Sequence, residues 1–341
     1  LRVAGALLAL ALLGLSFRNV DRERVAEVLA GLGPRAVLLL VPSVIAVALE
    51  IGAWQRAFAA MDARASFATL FQVRVMTESV AGVLPLGAVW AETMKPMLLG
   101  RGAGFPLPVS LAGMTARKYL LVASQAGYLA LGFFFGRRAL ERGFGRVANM
   151  PSLALVALGA AVALAIASEV VVLTLRGGGT FQALLARLAV VPWARFRDFL
   201  ARTRQGAANT DGAAARFFAL PRTALLALTL PCLAGWLLEA TETWLILRSV
   251  GVGIGWGDAL GIEALVVLSR HVLVFLPGGL GAQELGYAAF LAPFGSLDLC
   301  AAFVALKRLR ELAWLAAGCA LLAASRRGRD RAEERLAVEP G

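Results

Sequence analysis

Histidine occurs once in 341 residues, at His271, and cysteine only three times. CxxC and Cys/His spacings are both missing, which excludes a zinc module or a disulfide framework as the organising feature. Cys232, Cys300 and Cys319 each sit inside an apolar run and read as small core hydrophobes. His271 reads more readily as a helix-packing side chain than as a proton relay. The chain also lacks an Asp-rich cluster, a metal motif and an activated nucleophile, so nothing in it calls for a metal, a cofactor or enzymatic chemistry. Charge is scarce as well, with charged residues at 16%, hydrophobic residues at 59% and a mean hydropathy of +0.75. A soluble core of this size could not bury that much apolar surface, and the composition is that of an integral membrane protein. The formal net charge of +12 raises nucleic acid as a partner, but the arginines fall in loops between apolar runs. That placement suits membrane orientation and contact with anionic headgroups, and not nucleic acid.

The apolar runs mark about six transmembrane helices, at 1–17, 36–60, 107–135, 152–175, 222–247 and 299–324. Two further stretches are interrupted. Residues 67–99 break at Leu84-Pro85-Leu86-Gly87, and residues 256–291 break at Leu276-Pro277-Gly278-Gly279. The second arm of the first stretch, 88–99, has 12 residues, or about 18 Å of helix against a ~30 Å hydrocarbon core. The economical expectation is a re-entrant hairpin that enters and leaves on one side, used twice.

Both breaks follow one pattern: Leu-Pro-x-Gly, four residues, then Glu. An ungapped offset of 192 residues pairs Glu50 with Glu242, Arg56 with Arg248, Gly87 with Gly279, Glu92 with Glu284, and Lys118 with Arg310. Charged identities recurring in one register across apolar sequence indicate two copies of one unit, 36–135 and 222–324. Three spans separate the starts of the copies, so the copies are inverted. More than half of the 34 Lys and Arg fall on the face that holds both termini and the linker 176–221. The expected setting is a multi-pass protein of the bacterial inner membrane with both termini cytoplasmic. In the linker, Trp193, Phe196, Phe199, Leu200 and Thr203 recur opposite Arg195, Arg197, Arg202 and Arg204. This pattern fits a basic helix in the headgroup plane and, equally, a loop helix packed on the protein.

Inversion brings the two Gly elbows, Gly87 and Gly278-Gly279 with Gly281, toward the midplane from opposite sides, each opening a helix whose N–H groups are unpaired. Lys118 and Arg310 reach a similar depth, about 18 Å into their spans. Convergent N–H groups and two cations describe a site for an anion, above all a lipid phosphate. Glu92 and Glu284, near the elbows, are placed to neutralise those cations or carry protons, with structural ion locks as the bland alternative. Glu50 and Glu242 lie nearer the interface and suit coupling or packing equally. Glu78, Glu263 and Arg270 suit bracing of the hairpins, and the i, i+4 spacing of Lys307 and Glu311 suits an intrahelical pair.

The stretches LPGGLGAQELGYAAFL, ALKRLREL and RVMTESVAGVLPLGAVWAETMKPMLL resemble the lysylphosphatidylglycerol synthase transmembrane, or flippase-like, family. From LLEATETWLILRSVG onward the chain is most similar to the hopanoid-associated branch of that family. The resemblance implies a membrane protein that moves or handles lipids, with Gly278, Gly279, Gly281, Glu284 and Arg310 on the motif positions. The first elbow departs from the pattern, with Ala91 before its Glu and Lys95 after it. Only 17 residues follow the last span, so the expectation is a chain without the soluble transferase domain of the lipid-synthesising members. The reading is therefore a lipid translocator and not an enzyme. Its alternatives are a membrane enzyme acting on a lipid or polyprenyl phosphate and a non-transporting partner of lipid-synthesis proteins.

Overall fold

The computed structural model describes residues 22–84, 87–144, 153–188, 194–272, 286–287, 290–291 and 294–338. Every regular element among them is helical. Helix α1 (Arg22–Leu32) leads through a 3-10 segment (Gly33–Leu40) into α2 (Val41–Ala59), followed by α3 (Phe67–Val83), α4 (Gly87–Ala103), α5 (Leu107–Phe144) and α6 (Leu153–Arg176). Then come α7 (Thr180–Leu188), α8 (Ala194–Phe218), α9 (Arg222–Ser249), α10 (Trp256–Val272) and α11 (Leu297–Val338). The expected span at 1–17 and the second elbow, with Gly278, Gly279, Gly281 and Glu284, lie outside the described residues.

Among the described residues four segments are long and apolar enough to cross a membrane: Val37–Ala59, Leu107–Gly136, Leu155–Arg176 and Arg222–Ser249. They coincide within a few residues with four of the spans read from hydropathy. Their outward faces carry Val44, Ile45, Ile166, Leu173, Leu226 and Leu230, all exposed. Such contiguous apolar surface belongs in hydrocarbon. Helix α11 is longer still, but Lys307, Arg308, Arg310 and Glu311 keep it out of that class. Its outer face nevertheless shows Leu309 and Leu312.

Helix α3 starts at Ser66, whose hydroxyl accepts the Thr69 N–H at 3.0 Å, and ends at Leu84, which is extended because a proline follows. Gly87 then opens α4 so close to α3 that a Cβ there would sit 2.3 Å from the Ala81 carbonyl oxygen. Only glycine fits. The second arm does not stop at residue 99 but runs 17 residues to Ala103. Gly100 to Gly102 continue the helix until Gly104, at φ +66, lets the chain turn toward Pro106. At about 26 Å the arm approaches the ~30 Å hydrocarbon thickness, so its length no longer separates a re-entrant arm from a crossing one.

The packing is reciprocal between the two halves of the chain. Helix α2 lies along α9, α3 packs on α11, and α10 packs on α5. Small residues permit the close crossings. A Cβ on Gly136 of α5 would lie 2.3 Å from Gly261 Cα of α10, and one on Gly318 of α11 would collide with Ser79 of α3. In the linker, the second half of α8 packs on the protein through buried Ala213, Ala214, Phe217 and Phe218, with Tyr119 edge-on to Phe218 at 5.3 Å. Asp211 accepts the Phe181 and Gln182 N–H groups at 2.9 and 3.1 Å and so caps α7. The side chains of Phe196, Phe199 and Leu200 lie outside the described residues.

Candidate functional site

A carboxylate inside an apolar helix is tolerated only with partners. Glu50, on α2, has two. Arg74 of α3 donates through Nε at 2.8 Å, and Arg117 of α5 donates through Nη2. The Arg117 guanidinium also lies over Trp54, 5.3 Å from its ring centre, and the Trp54 indole N–H donates to the Gly113 carbonyl at 2.9 Å. One carboxylate thus ties three helices together.

Glu242, on α9, occupies the corresponding place in the other half. Both its oxygens accept from Arg310 Nη1 of α11, at 3.0 and 3.1 Å. Lys307 Nζ stands 3.5 Å from Glu242 and 3.7 Å from Glu263 of α10. Glu263 in turn accepts from Thr243 Oγ1 and from the Tyr287 hydroxyl, each at 2.8 Å. All these groups are buried.

The two Glu–Arg contacts span 67 residues in the first half and 68 in the second. That one-residue slip corrects the sequence register. Lys118, the ungapped counterpart of Arg310, is exposed, and Arg117 makes the equivalent contact. Each residue along a helix turns the side chain by about 100°, so a slip of one is enough to move a cation from the interior to the outside. Glu50 and Glu242, expected nearer the interface, are buried, each among cations of its own half.

Between the two clusters lies a cavity of about 600 Å³. Arg74, Arg117 and Glu50 reach it from the first half, and Arg308, Arg310 and Glu311 from the second. Trp236, Trp314, Leu121 and Leu315 supply apolar wall. Arg117 Nε and Glu239 Oε2, on residues of this wall, are buried with no hydrogen-bond partner among the described residues.

The other candidate residues are distributed around this centre. Glu78 lines the cavity and stands 3.8 Å from Arg74. Glu92 is partly exposed and pairs with buried Lys95 at 2.7 Å, not with Lys118. Lys307 does not pair with Glu311, whose partners are Arg308 and, at 4.0 Å, Arg310. Glu263 joins α10 to Tyr287 just beyond the second elbow. Arg270 lies on α10 with its side chain outside the described residues. Arg74 and Glu239 escaped the sequence reading: Arg74 has no counterpart in the repeat register, and position 47, the register mate of Glu239, is a valine.

The helices and this interior define a multi-pass helical membrane protein with a charged cavity between two buried Glu–Arg clusters. The chain belongs to the family described as the lysylphosphatidylglycerol synthase TM region, which it matches over residues 2–324. Membership relates it to membrane-lipid metabolism. Among curated proteins none matches the chain.

Proposed function

We propose that the protein is a lipid translocator of the bacterial inner membrane, both termini cytoplasmic, and that the cavity receives the anionic headgroup of its lipid. The observation that carries this reading is the wall of four guanidinium groups, Arg74, Arg117, Arg308 and Arg310, around a space of about 600 Å³. Arg117 keeps a buried Nε–H without a hydrogen-bond partner among the described residues. An arginine already held by a carboxylate is preorganised, and a phosphate oxygen entering the cavity can complete its donors. The volume suits a phospholipid headgroup while the acyl chains remain in the bilayer.

The reciprocal packing of α3 on α11 and of α10 on α5 supports two inverted copies, 36–135 and 222–324, that rock about the α2–α9 contact. In this reading Arg117 takes the role that the register gave to Lys118. The arrangement expected from the sequence, Gly87 with Glu92 at one elbow and Gly278-Gly279-x-Gly281 with Glu284 at the other, belongs to the same reading. A hopanoid as cargo rests on the resemblance of the LLEATETW stretch.

The purified protein in liposomes with a labelled anionic lipid tests the proposal. The expected result is lipid that changes leaflet chemically unaltered. Chemically altered lipid would make the protein an enzyme on a lipid or polyprenyl phosphate, and lipid neither moved nor altered would leave a non-transporting partner of lipid synthesis.

A further inference from the structure

Pairing off the charges of the described residues around the cavity, with Lys307 assigned to Glu263 behind the wall, leaves one over. Arg117 and Arg74 share Glu50, and Arg74 also has Glu78 at 3.8 Å. Arg308 is paired with Glu311, and Arg310 with Glu242, which lies behind the cavity wall. Four arginines are thus matched by Glu50, Glu78, Glu311 and Glu242. Glu239 remains. No ion pair reaches it among the described residues, and its Oε2 is buried without a hydrogen-bond partner.

Glu239 stands one helical turn before Glu242 on α9 and lines the cavity, beside Trp236 three residues earlier. The first half offers nothing like it, because the corresponding position is Val47. Arg74 lies within electrostatic reach of Glu239 but makes no ion pair or hydrogen bond with it, so the carboxylate keeps room for a group of opposite charge that arrives from elsewhere. Aromatic wall nearby favours a cation further.

We infer that Glu239 is a binding site for a compact monovalent cation inside the cavity. The inference rests on the headgroup reading for its setting and adds a second pole to it. Arg74, Arg117, Arg308 and Arg310 line the same cavity as Glu239, so the ligand is dipolar: an anionic phosphate at the arginines and a positive charge at Glu239. That charge comes either from an ammonium on the lipid itself or from an alkali-metal ion that enters with an anionic lipid.

The test uses the full chain in nanodiscs, with native mass spectrometry for lipid binding. Phosphatidylethanolamine carries the ammonium and phosphatidylglycerol does not. Wild type binding the ethanolamine lipid roughly tenfold more tightly than the glycerol lipid, with that preference lost in Glu239→Gln and kept in Glu239→Asp, assigns the cation to the headgroup; about tenfold corresponds to one good charged contact. A thermal stabilisation by sodium over N-methylglucamine at equal ionic strength, present in wild type and absent in Glu239→Gln, assigns it to an inorganic ion. The absence of both a lipid preference and a sodium effect that depend on Glu239 overturns the inference. Wild type that binds neither lipid removes the headgroup reading instead, and the sodium comparison then decides Glu239 by itself.

Discussion

The Glu50 cluster and the Glu242 cluster start from the same chemistry, a carboxylate on one helix gripping an arginine 67 or 68 residues further on, and end in different roles. Glu50 borders the cavity with both of its arginines. Glu242 is fully buried behind the wall, and its cluster continues through Lys307 to Glu263, Thr243 and Tyr287. The first cluster is a surface that a ligand can meet. The second is a closed network that fixes the position of Arg310 and anchors the chain beyond the second elbow to α10. Duplicated charge therefore does not mean duplicated function: one copy kept the contact at the cavity, and the other surrounded it with satisfied polar partners, which rigidify a site only when every member is paired.

The largest effect expected is an all-or-none difference in topology. With Cys232, Cys300 and Cys319 replaced, a single cysteine at Ser296 should react with an impermeant thiol reagent from outside, and one at Gly102 only after the inner membrane is opened. Both positions are exposed. Labelling of both from one side would make the two halves parallel and remove the basis for comparing them.

Next comes stability. Glu242→Ala leaves Arg310 and Lys307 buried without their carboxylate and should cost about 3–5 kcal/mol. Glu50→Ala should cost about 1–3 kcal/mol, because water entering the cavity can solvate Arg74 and Arg117. Thermal unfolding in detergent ranks the two, and equal losses would erase the distinction between a sealed cluster and an open one. A smaller loss, about 1 kcal/mol, is expected for Tyr287→Phe, which deletes one hydroxyl donor to Glu263.

Much of this architecture was legible beforehand. Helix-forming apolar runs gave four spans nearly to the residue, since hydrocarbon length and composition constrain them directly. The Glu50–Glu242 and Arg310 positions stood out because isolated charge in apolar sequence is expensive. What was lost lay in phase and in asymmetry. An ungapped register cannot see a one-residue slip, yet on a helix that slip exchanges Arg117 for Lys118. Looking for repeated residues passed over Glu239, whose interest is that it is not repeated, and Arg74, whose contact with Glu50 crosses between helices. The linker pattern left a headgroup-plane helix and a packed helix equal, since Phe217 and Phe218 of α8 find Tyr119 only in three dimensions.

The most direct measurement contrasts Arg117 with its neighbour. In liposomes containing a labelled anionic lipid, Arg117→Gln should slow transfer between leaflets by at least about tenfold, the equivalent of one charged contact, while Lys118→Gln transfers at close to the wild-type rate. Equal transfer by both variants, or a greater loss from Lys118→Gln, would contradict a headgroup site in the cavity between the two Glu–Arg clusters.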